Sequence, residues 1–368
     1  MEVRSAPYAI FGPEGVVPEG ALLTDGRRIL ALGRRDALLK EYPNAHERRF
    51  STFLGADAAN AHTHLDLGLG PVFRGPFMEF VFKAVFPRNE ARGLGLAKEA
   101  AATAGQRILG DIVAKDDGTL EWWLLEAPFT GVAYFEVLGI MPPEAEREYL
   151  EKLRATVRRL KKLERPGGAR LGLSPHAPYS LTPSLMRGAV ALAREEGLPL
   201  QIHAAESPEE LAYFQDRTGA IAEFHQRKGL PRDLHPTGLT SIEYLAELGV
   251  LEARPLLIHG VQVSEADVRT IADHGARLVS CPRSNLNLKA GLPPYALYRK
   301  HRVPLALGTD SALSGGSLDV WDEVRLLLGR GLPAAEVLAW AVLGSREALG
   351  VPLPELQPGE PLDAVVGW

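Results

Sequence analysis

Two histidines separated by one residue lie at the end of the segment Asn60-Ala61-His62-Thr63-His64. Residues two apart in a β-strand project to the same face, so the imidazoles of His62 and His64 could chelate one cation. The pair alone leaves a second interpretation open, in which both residues are surface or helix-capping histidines. Its chemistry therefore depends on what other metal-binding side chains the fold brings to it.

Three further apolar, strand-like runs end in a histidine or an aspartate. Each of these residues, taken singly, is more typical of a hydrogen-bonded core position than of a ligand. Together, imidazoles and a carboxylate form a mixed nitrogen and oxygen set that suits Zn²⁺, Fe²⁺ or Mn²⁺. The groups are His203 with Glu206 three residues later, His259 before Gly260, and Asp310 in Gly308-Thr309-Asp310-Ser311.

The elements that must position these side chains follow a regular alternation. Between residues 55 and 344, strand-like runs alternate with helical stretches such as 144–163 and 264–274, which predicts a parallel sheet. A segment of this length suits an α/β fold of the (β/α)8 TIM barrel type, with its site at the carboxyl ends of the strands. The strand-like runs are residues 132–138, 171–173, 198–203, 255–259, 276–281 and 303–308.

The two ends of the chain have a different pattern. Residues 1–54 contain short strand-like stretches broken by Gly and Pro, and residues 361–368 are again strand-like. We therefore expect two domains: residues 1–54 plus 345–368 form a small β-sandwich domain, and residues 55–344 form the barrel.

Composition excludes several classes of protein. The 368 residues carry a net charge of -5, which provides no basic surface for nucleic acid or for an anionic membrane. No apolar run reaches the roughly 18 residues that a membrane span needs, and the N-terminus is too polar for a signal peptide, so we expect a cytoplasmic protein. Cys281 is the single cysteine, which excludes an internal disulfide and zinc sites built from paired cysteines.

The order and spacing of His62, His64, His203, His259 and Asp310 resemble the amidohydrolase superfamily. Within it, the sequence is most similar to the branch of cytosine, guanine and adenosine-derivative deaminases and triazine hydrolases. The resemblance covers nearly the whole chain, because residues 358–366 resemble the closing strand of that family. It implies a metal-dependent hydrolase that attacks a carbon–nitrogen bond.

The resemblance also implies roles for individual residues. His62, His64, His203 and Asp310 are the implied ligands of one divalent metal ion, zinc first, with iron or manganese as alternatives. Asp310 would accept a proton from the attacking water, and Glu206 would protonate the ring nitrogen of the substrate. His259 would bind the attacking oxygen. Residues 173–179 lack the lysine that holds a second metal in binuclear members, so a mononuclear site is implied.

Four further side chains are candidates for substrate binding. His176 resembles a substrate-contacting histidine of adenosine-derivative deaminases, and Glu136 is either a cavity group or a strand-end carboxylate. Arg283 and Asn285 could bind a polar substituent, or this segment could simply cap the helix that follows. Residues 76–86 are dense in aromatic side chains, which favours core packing or the lining of a site for a flat heterocycle.

The sequence thus predicts a hydrolytic deaminase of an aminated purine-like nucleoside or base, with aminodeoxyfutalosine or another adenosine derivative favoured by the resemblance. Two alternatives remain open. One is an amidohydrolase that acts without deamination, by ring opening or dechlorination, and the other is an inactive barrel used as a binding module. We expect a small-molecule heterocycle as the partner, with no nucleic acid and no membrane, and a homodimer is left open.

Overall fold

The computed structural model describes residues 1–368, and two groups of strands organise it. Six strands from the two ends of the chain form one mixed sheet, and eight strands from the middle form two parallel sheets. The strands are β1 (Glu2–Ile10), β2 (Val17–Thr24), β3 (Ile29–Arg34), β4 (His46–Arg49), β5 (Phe53–Ala56), β6 (Asn60–Thr63), β7 (Ile108–Val113), β8 (Thr130–Val137), β9 (Ala169–Pro175), β10 (Gln201–Ala204), β11 (Leu256–His259), β12 (Arg277–Ser280), β13 (Leu305–Leu307) and β14 (Val365–Gly367).

The mixed sheet has the order β14-β5-β1-β2-β3. Strand β1 pairs with β2 on one side, and on the other side it pairs with β4 and then with β5. Strand β14 returns from the end of the chain and pairs antiparallel with β5. The first and last segments of the sequence are therefore joined in one sheet, as their strand-like patterns suggested.

Strands β6 to β9 and β10 to β13 form two parallel sheets in sequence order. Isolated parallel bridges connect the two sheets at both edges: Leu173 with Leu200, and Thr63 with Asp310. The mixed α/β class and the predicted alternation of strands with helices are confirmed. Parallel strands require long crossover connections, and helices occupy most of these connections.

The helices fill the connections between the strands. The long helix expected over residues 144–163 runs over Pro143–Lys161, and the one expected over 264–274 runs over Glu265–Asp273. The α-helices are α1 (Arg35–Glu41), α2 (Phe77–Phe80), α3 (Leu94–Ala101), α4 (Thr119–Leu125), α5 (Pro143–Lys161), α6 (Pro183–Glu196), α7 (Pro208–Asp216), α8 (Gly219–Arg227), α9 (Ser241–Glu247), α10 (Glu265–Asp273), α11 (Pro282–Asn287), α12 (Tyr295–Lys300), α13 (Ala312–Gly315), α14 (Val320–Gly329), α15 (Ala334–Ala339) and α16 (Ser345–Ala348).

Shorter helical turns complete the connections. Two of them are π-helical, at Val81–Val85 and Trp340–Gly344, and each continues an α-helix without a break. None of the helices combines the length and the apolar character that crossing a lipid bilayer requires. The 3-10 turns lie at Leu65–Leu67, Phe86–Arg88, Leu251–Ala253 and Leu362–Ala364.

The two faces of the parallel strands belong to separate apolar cores. In β11, Leu257 packs in the large core beneath the helices, whereas Leu256 and Ile258 pack in a smaller core with Val279 and Ala306. This division follows from the alternation of side chains along a strand. Both faces of these strands are thus buried, which explains their nearly continuous apolar runs.

The contact between the second π-helical turn and β13 leads to a stability prediction. A Cβ on Gly344 would overlap the main-chain carbonyl oxygen of Leu305, whereas a Cβ on Gly329 would meet nothing within 4 Å. We expect Gly344→Ala to lower the thermal midpoint by about 3 °C or more, because the helix must move away from β13. Gly329→Ala is the matched control, and differential scanning calorimetry measures both. A Gly344→Ala midpoint equal to that of the control would contradict this packing.

Candidate metal centre and active site

Three imidazoles converge at the carboxyl ends of two parallel strands. His62 lies in β6, His64 follows it, and His203 lies in β10, and all three side chains are buried. One ring nitrogen from each of the three lies within 4.8 Å of the others. The Nε2 atoms of His64 and His203 are 3.3 Å apart. This spacing places three nitrogen donors around one point.

The outer ring nitrogens of two of these histidines have hydrogen-bond acceptors. His62 Nδ1 donates to Gln201 Oε1 at 3.0 Å, and His203 Nδ1 donates to the carbonyl oxygen of His176 at 2.8 Å. Each bond leaves Nε2 unprotonated and directed to the centre, as in metal sites where an outer partner orients the ligand. His62 Nε2 is buried without any protein partner. An unpaired buried nitrogen is unfavourable, so this atom fits the role of a metal ligand.

The electrostatics of the centre favour neutral imidazoles. Burial lowers the pKa of His62 to about 4. Burial, together with the neighbouring imidazoles, also lowers the pKa values of His64 and His203 well below the usual value for histidine. Metals bind the neutral form of the ring, so these shifts prepare the site for a cation at neutral pH.

Asp310 supplies the carboxylate. Its Oδ1 lies 3.8 Å from His62 Nε2 and 3.6 Å from His64 Nε2. Its Oδ2 accepts hydrogen bonds from the hydroxyls of Ser284, at 2.6 Å, and Ser314, at 3.0 Å. The carboxylate is therefore oriented by the two serines, and its Oδ1 faces the histidines while it also accepts from the main-chain amide of Ser311 at 2.7 Å.

Main-chain hydrogen bonds around Asp310 explain how this residue reaches β6. The amide nitrogens of Thr309 and Asp310 donate to the carbonyl oxygen of His62 at 3.1 and 3.0 Å. A Cβ on Gly308 would lie 2.7 Å from His62 Cβ, so only glycine permits this close approach. Asp310 itself has a φ of 59°, a left-handed conformation that aspartate adopts more readily than most residues other than glycine and asparagine.

His259 and Glu206 form a second pair of groups beside the centre. His259 Nδ1 donates to Asn285 Oδ1 at 2.8 Å, and its buried Nε2 lies 3.5 Å from Glu206 Oε1. Burial, and then the nearby Asp310, raise the pKa of Glu206 well above the usual value for glutamate. A buried carboxyl group with a raised pKa holds its proton more tightly than an exposed one, which suits it to general acid chemistry.

One cavity of about 500 Å³ opens onto five of these groups. Its polar end contains His64, His203, Glu206, His259 and Asp310, and much of the remaining lining is apolar. The aromatic segment noted in the sequence contributes to this wall, so lining is the interpretation that the structure supports for these side chains. They are Phe77, Met78, Phe80, Val81, Val85 and Phe86.

Two of the four residues that the sequence suggested for substrate binding line this cavity. His176 has its ring centroid 4.9 Å from that of His203, and Ser180 Oγ lies 2.8 Å from its Nδ1. Glu136 is buried, with Oε2 3.6 Å from Arg92 Nη1. Both are thus in reach of a molecule held in the cavity.

The other two, Arg283 and Asn285, do not line the cavity. The guanidinium of Arg283 pairs with Glu323, at 2.7 Å, and with Asp322, at 3.2 Å. Its charge is therefore already compensated within the fold, and we correct its expected role from substrate contact to structural ion pair. Asn285 accepts the Nδ1–H of His259, so its role is to orient that ring.

Several residues that contact the candidate centre were not selected from the sequence. Arg92 is buried, donates to Asp66 at 2.8 Å, and approaches His64 Nδ1 at 3.4 Å. It lies in an irregular segment that has no pattern to distinguish it. Gln201 did have a signal, because it is the polar residue that interrupts an otherwise apolar run. Ser284 lay between Arg283 and Asn285, whose longer side chains were the more obvious candidates.

Comparison with known proteins shows which sequences this chain is similar to. Residues 58–367 match the family model described as "Amidohydrolase family". The aminodeoxyfutalosine deaminase of Deinococcus radiodurans is 35% identical over 97% of this chain and 88% of its own length.

Two solved structures have a similar fold. The aminofutalosine deaminase of Helicobacter pylori, in complex with methylthio-coformycin, has a TM-score of 0.75 and 24% identity, over 100% of this chain and 92% of its own. An adenosine deaminase from Xanthomonas campestris with bound zinc has a TM-score of 0.67 and 22% identity, over 98% and 83%. At 24% and 22% identity, the similarity to these two structures shows a shared fold.

The corrected role of Arg283 predicts a pH-dependent loss of stability. Burial raises the pKa of Glu323 from 4.5 to about 7, while Arg283 opposes that shift. Folding therefore favours the protonated acid, and stability falls as pH rises from about 4.5 through the folded pKa. Without Arg283 this pKa rises further, so the loss of stability continues to higher pH.

We expect Arg283→Met to lower the free energy of unfolding by about 3 kcal/mol at pH 8 and much less at pH 5. Urea titration at the two pH values measures this difference. Adding Glu323→Gln to the variant should recover most of the loss at pH 8. A raised KM with unchanged stability would instead restore the role in substrate binding.

Proposed function

Because the chain belongs to the amidohydrolase family, we propose that it is a metal-dependent hydrolytic deaminase of an aminated purine-like nucleoside. One observation carries this proposal: three imidazoles and the Asp310 carboxylate converge at one end of a cavity that also contains Glu206, a carboxyl group whose pKa is raised by burial. Aminodeoxyfutalosine is the favoured substrate, since the relative that is 35% identical carries that activity in its name. Another adenosine derivative is the alternative.

The proposed architecture is a closed (β/α)8 TIM barrel over residues 55–344, with a small β-sandwich domain from residues 1–54 plus 345–368. The two parallel bridges at the sheet edges support closure, because they connect β9 to the start of β10 and β6 to the end of β13. The successive pairing of β1 with β4 and β5 supports a sheet that folds over itself. Closure would bring all eight strand ends to one mouth.

The proposed metal ligands are His62, His64, His203 and Asp310. They fit a divalent cation because three nitrogens and one carboxylate oxygen face each other, and because His62 Nε2 has no other partner. Zinc suits this mixed set, and iron or manganese would also be accepted. When bound, such a cation supplies Lewis-acid chemistry by lowering the pKa of water.

Asp310 and Glu206 carry out separate proton transfers in the proposed reaction. Asp310 accepts one proton of the attacking water and later gives it to the leaving amino group, which departs as ammonia. Glu206 donates its proton to the ring nitrogen beside the attacked carbon. As the carbon–nitrogen bond breaks and the new carbonyl forms, the remaining hydroxyl proton returns to Glu206. His259, with Nδ1–H bound to Asn285, presents Nε2 as an acceptor for the attacking water.

The rest of the cavity suits a nucleoside. Its volume of about 500 Å³ lies within the range of small-molecule sites, and its aromatic wall can pack against a flat base. His176 and Glu136 are the proposed substrate contacts, since both line the cavity. A cytoplasmic location remains a prediction from the sequence, and a homodimer remains open.

The function is tested by ammonia release from a panel of aminated nucleosides and bases that includes aminodeoxyfutalosine. We expect release from at least one purine nucleoside, near-complete loss after dialysis against a chelator, and recovery on adding zinc, because the histidines are arranged for a cation. Metal analysis of the same samples should give one ion per chain. Turnover without ammonia would support hydrolysis of another kind, and a protein with neither metal nor turnover would support a binding module.

The role of Glu206 is tested by replacing its carboxyl group with an amide. We expect Glu206→Gln to lower kcat by about 100-fold or more with unchanged metal content, because the ring nitrogen loses its proton donor. Glu209→Gln, three residues further along and outside the cavity lining, is the matched control and should retain activity. Full activity of Glu206→Gln would remove this residue from the mechanism.

A further inference from the structure

A second buried cluster of titratable groups adjoins the cavity on the side of α7 and α8. Tyr213, in α7, places its hydroxyl oxygen 3.0 Å from His225 Nδ1 and 2.7 Å from His235 Nδ1. The other ring nitrogen of His235 lies 2.8 Å from the carbonyl oxygen of Leu181. None of these side chains belongs to the metal centre.

The carbonyl at one end determines the direction of every hydrogen bond in this chain. A carbonyl oxygen only accepts, so His235 Nε2 must carry the proton that it donates to Leu181. Burial lowers the pKa of His235 to about 4, so its ring is neutral near pH 7 and its Nδ1 is unprotonated. Tyr213 therefore donates its single proton to His235, and its oxygen is left to accept from His225 Nδ1–H.

The last ring in the chain faces the cavity. Burial also lowers the pKa of His225 to about 4, so this ring is neutral and has only one proton, which lies on Nδ1. His225 lines the cavity beside Phe224 and Lys228. Its Nδ1 faces the Tyr213 hydroxyl, so the remaining ring nitrogen is Nε2. The main chain of Tyr179 lies near this ring, but Nε2 makes no hydrogen bond of standard geometry within the protein. The lone pair of His225 Nε2 is thus available to a molecule in the cavity.

The opposite assignment is unfavourable. A proton on His225 Nε2 could be shared with the main chain of Tyr179, which is near this ring. The unprotonated Nδ1 would then face the lone pairs of the Tyr213 oxygen at 3.0 Å, because the hydroxyl proton is committed to His235. Two acceptors at that distance repel each other.

Arg217 helps to hold this arrangement. Its guanidinium lies 3.9 Å from the centroid of the Tyr213 ring, and its Nη2 donates to the carbonyl oxygen of Pro236 at 3.0 Å. The positive charge next to the cluster lowers the pKa values of both histidines further, after burial. The cluster is therefore kept in place and kept neutral.

We propose that the sequence of hydrogen bonds from Leu181 through His235 and Tyr213 holds His225 as a fixed hydrogen-bond acceptor in the cavity wall, where it selects a substrate with a donor such as a sugar hydroxyl. This inference rests on the proposed deaminase function and adds a specificity-determining residue to the same site. His225 would bind the hydroxyl, and Tyr213 and His235 would act as positioning residues.

The proton positions can be tested without measuring activity. Two-bond 15N–1H correlation spectra of the histidine-labelled protein at pH 7 distinguish protonated from unprotonated ring nitrogens, and His225→Gln and His235→Gln assign the signals. We expect protonated Nδ1 in His225 and protonated Nε2 in His235. Tyr213→Phe should change the His225 signals, because its Nδ1 loses its acceptor. A wild-type His225 protonated on Nε2 overturns the proposal.

The matched control is Tyr244→Phe. The hydroxyl of Tyr244 is also buried, but it has no hydrogen-bond partner, and its ring lies 5.6 Å from that of His235. Removing it changes the packing environment of the cluster without removing a hydrogen bond. We therefore expect this variant to keep the wild-type proton positions and kinetics.

The selectivity is tested with adenosine and its 2′-, 3′- and 5′-deoxy derivatives. Losing one hydrogen bond of this kind corresponds to about a tenfold change, so we expect His225→Leu to lower kcat/KM about tenfold on adenosine, mainly through KM. On the derivative that lacks the bound hydroxyl, the variant should match the wild type. Tyr213→Phe should show a smaller loss in the same pattern, and His225→Gln, which retains an acceptor, should recover part of the activity.

An equal loss on all four nucleosides, or none on any, overturns the selective role of His225. The failure of the proposed function has a different result: the wild type would release no ammonia from any nucleoside, while the spectra would still report the proton positions of His225 and His235.

Discussion

The meeting of β6 with the segment after β13 is the constraint on which the site depends. The carbonyl oxygen of His62 accepts from the amides of Thr309 and Asp310, residues nearly 250 positions away in the chain. This contact brings a carboxylate to within 4 Å of two imidazoles. It is possible only because Gly308 has no side chain and Asp310 adopts a left-handed conformation. The local strain is offset by the serine hydroxyls and amides that bind the carboxylate.

Sequence patterns located the strand ends, and with them the side chains proposed as metal ligands and as the general acid, because parallel strands deliver their carboxyl ends to one edge. The sequence patterns did not predict the direction in which each of these side chains projects. His259 has a φ of 76° and Asp310 a φ of 59°, so neither follows the alternation of the strand before it. The pairing of Arg283 with Glu323 was also invisible, since the two residues meet only after α11 and α14 pack. Strand β7 was missed because glycine and aspartate interrupt its apolar residues.

Buried charge is concentrated close to the cavity and is managed by pairing or by protonation. Arg92 lies between Asp66 and Glu136 and close to His64. The two carboxylates compensate the positive charge of the guanidinium, whose burial would otherwise be unfavourable. Asp111 is handled differently: burial raises its pKa to about 8, although a hydroxyl, an indole and an amide donate to it. Such groups contribute little to stability on their own and instead fix the positions of the residues around the imidazoles.

The two π-helical turns have a consequence for how this fold diverges. A π-turn is equivalent to one residue inserted into an α-helix. Deleting a single residue from Val81–Val85 would return this wide turn to α-helical geometry and change which of its side chains face the cavity. The aromatic wall would then present a different set of rings to the cavity while the eight strands and the histidines stayed in place. Single-residue gaps at this turn are thus a route by which relatives can change the molecule they accept without rebuilding their catalytic chemistry.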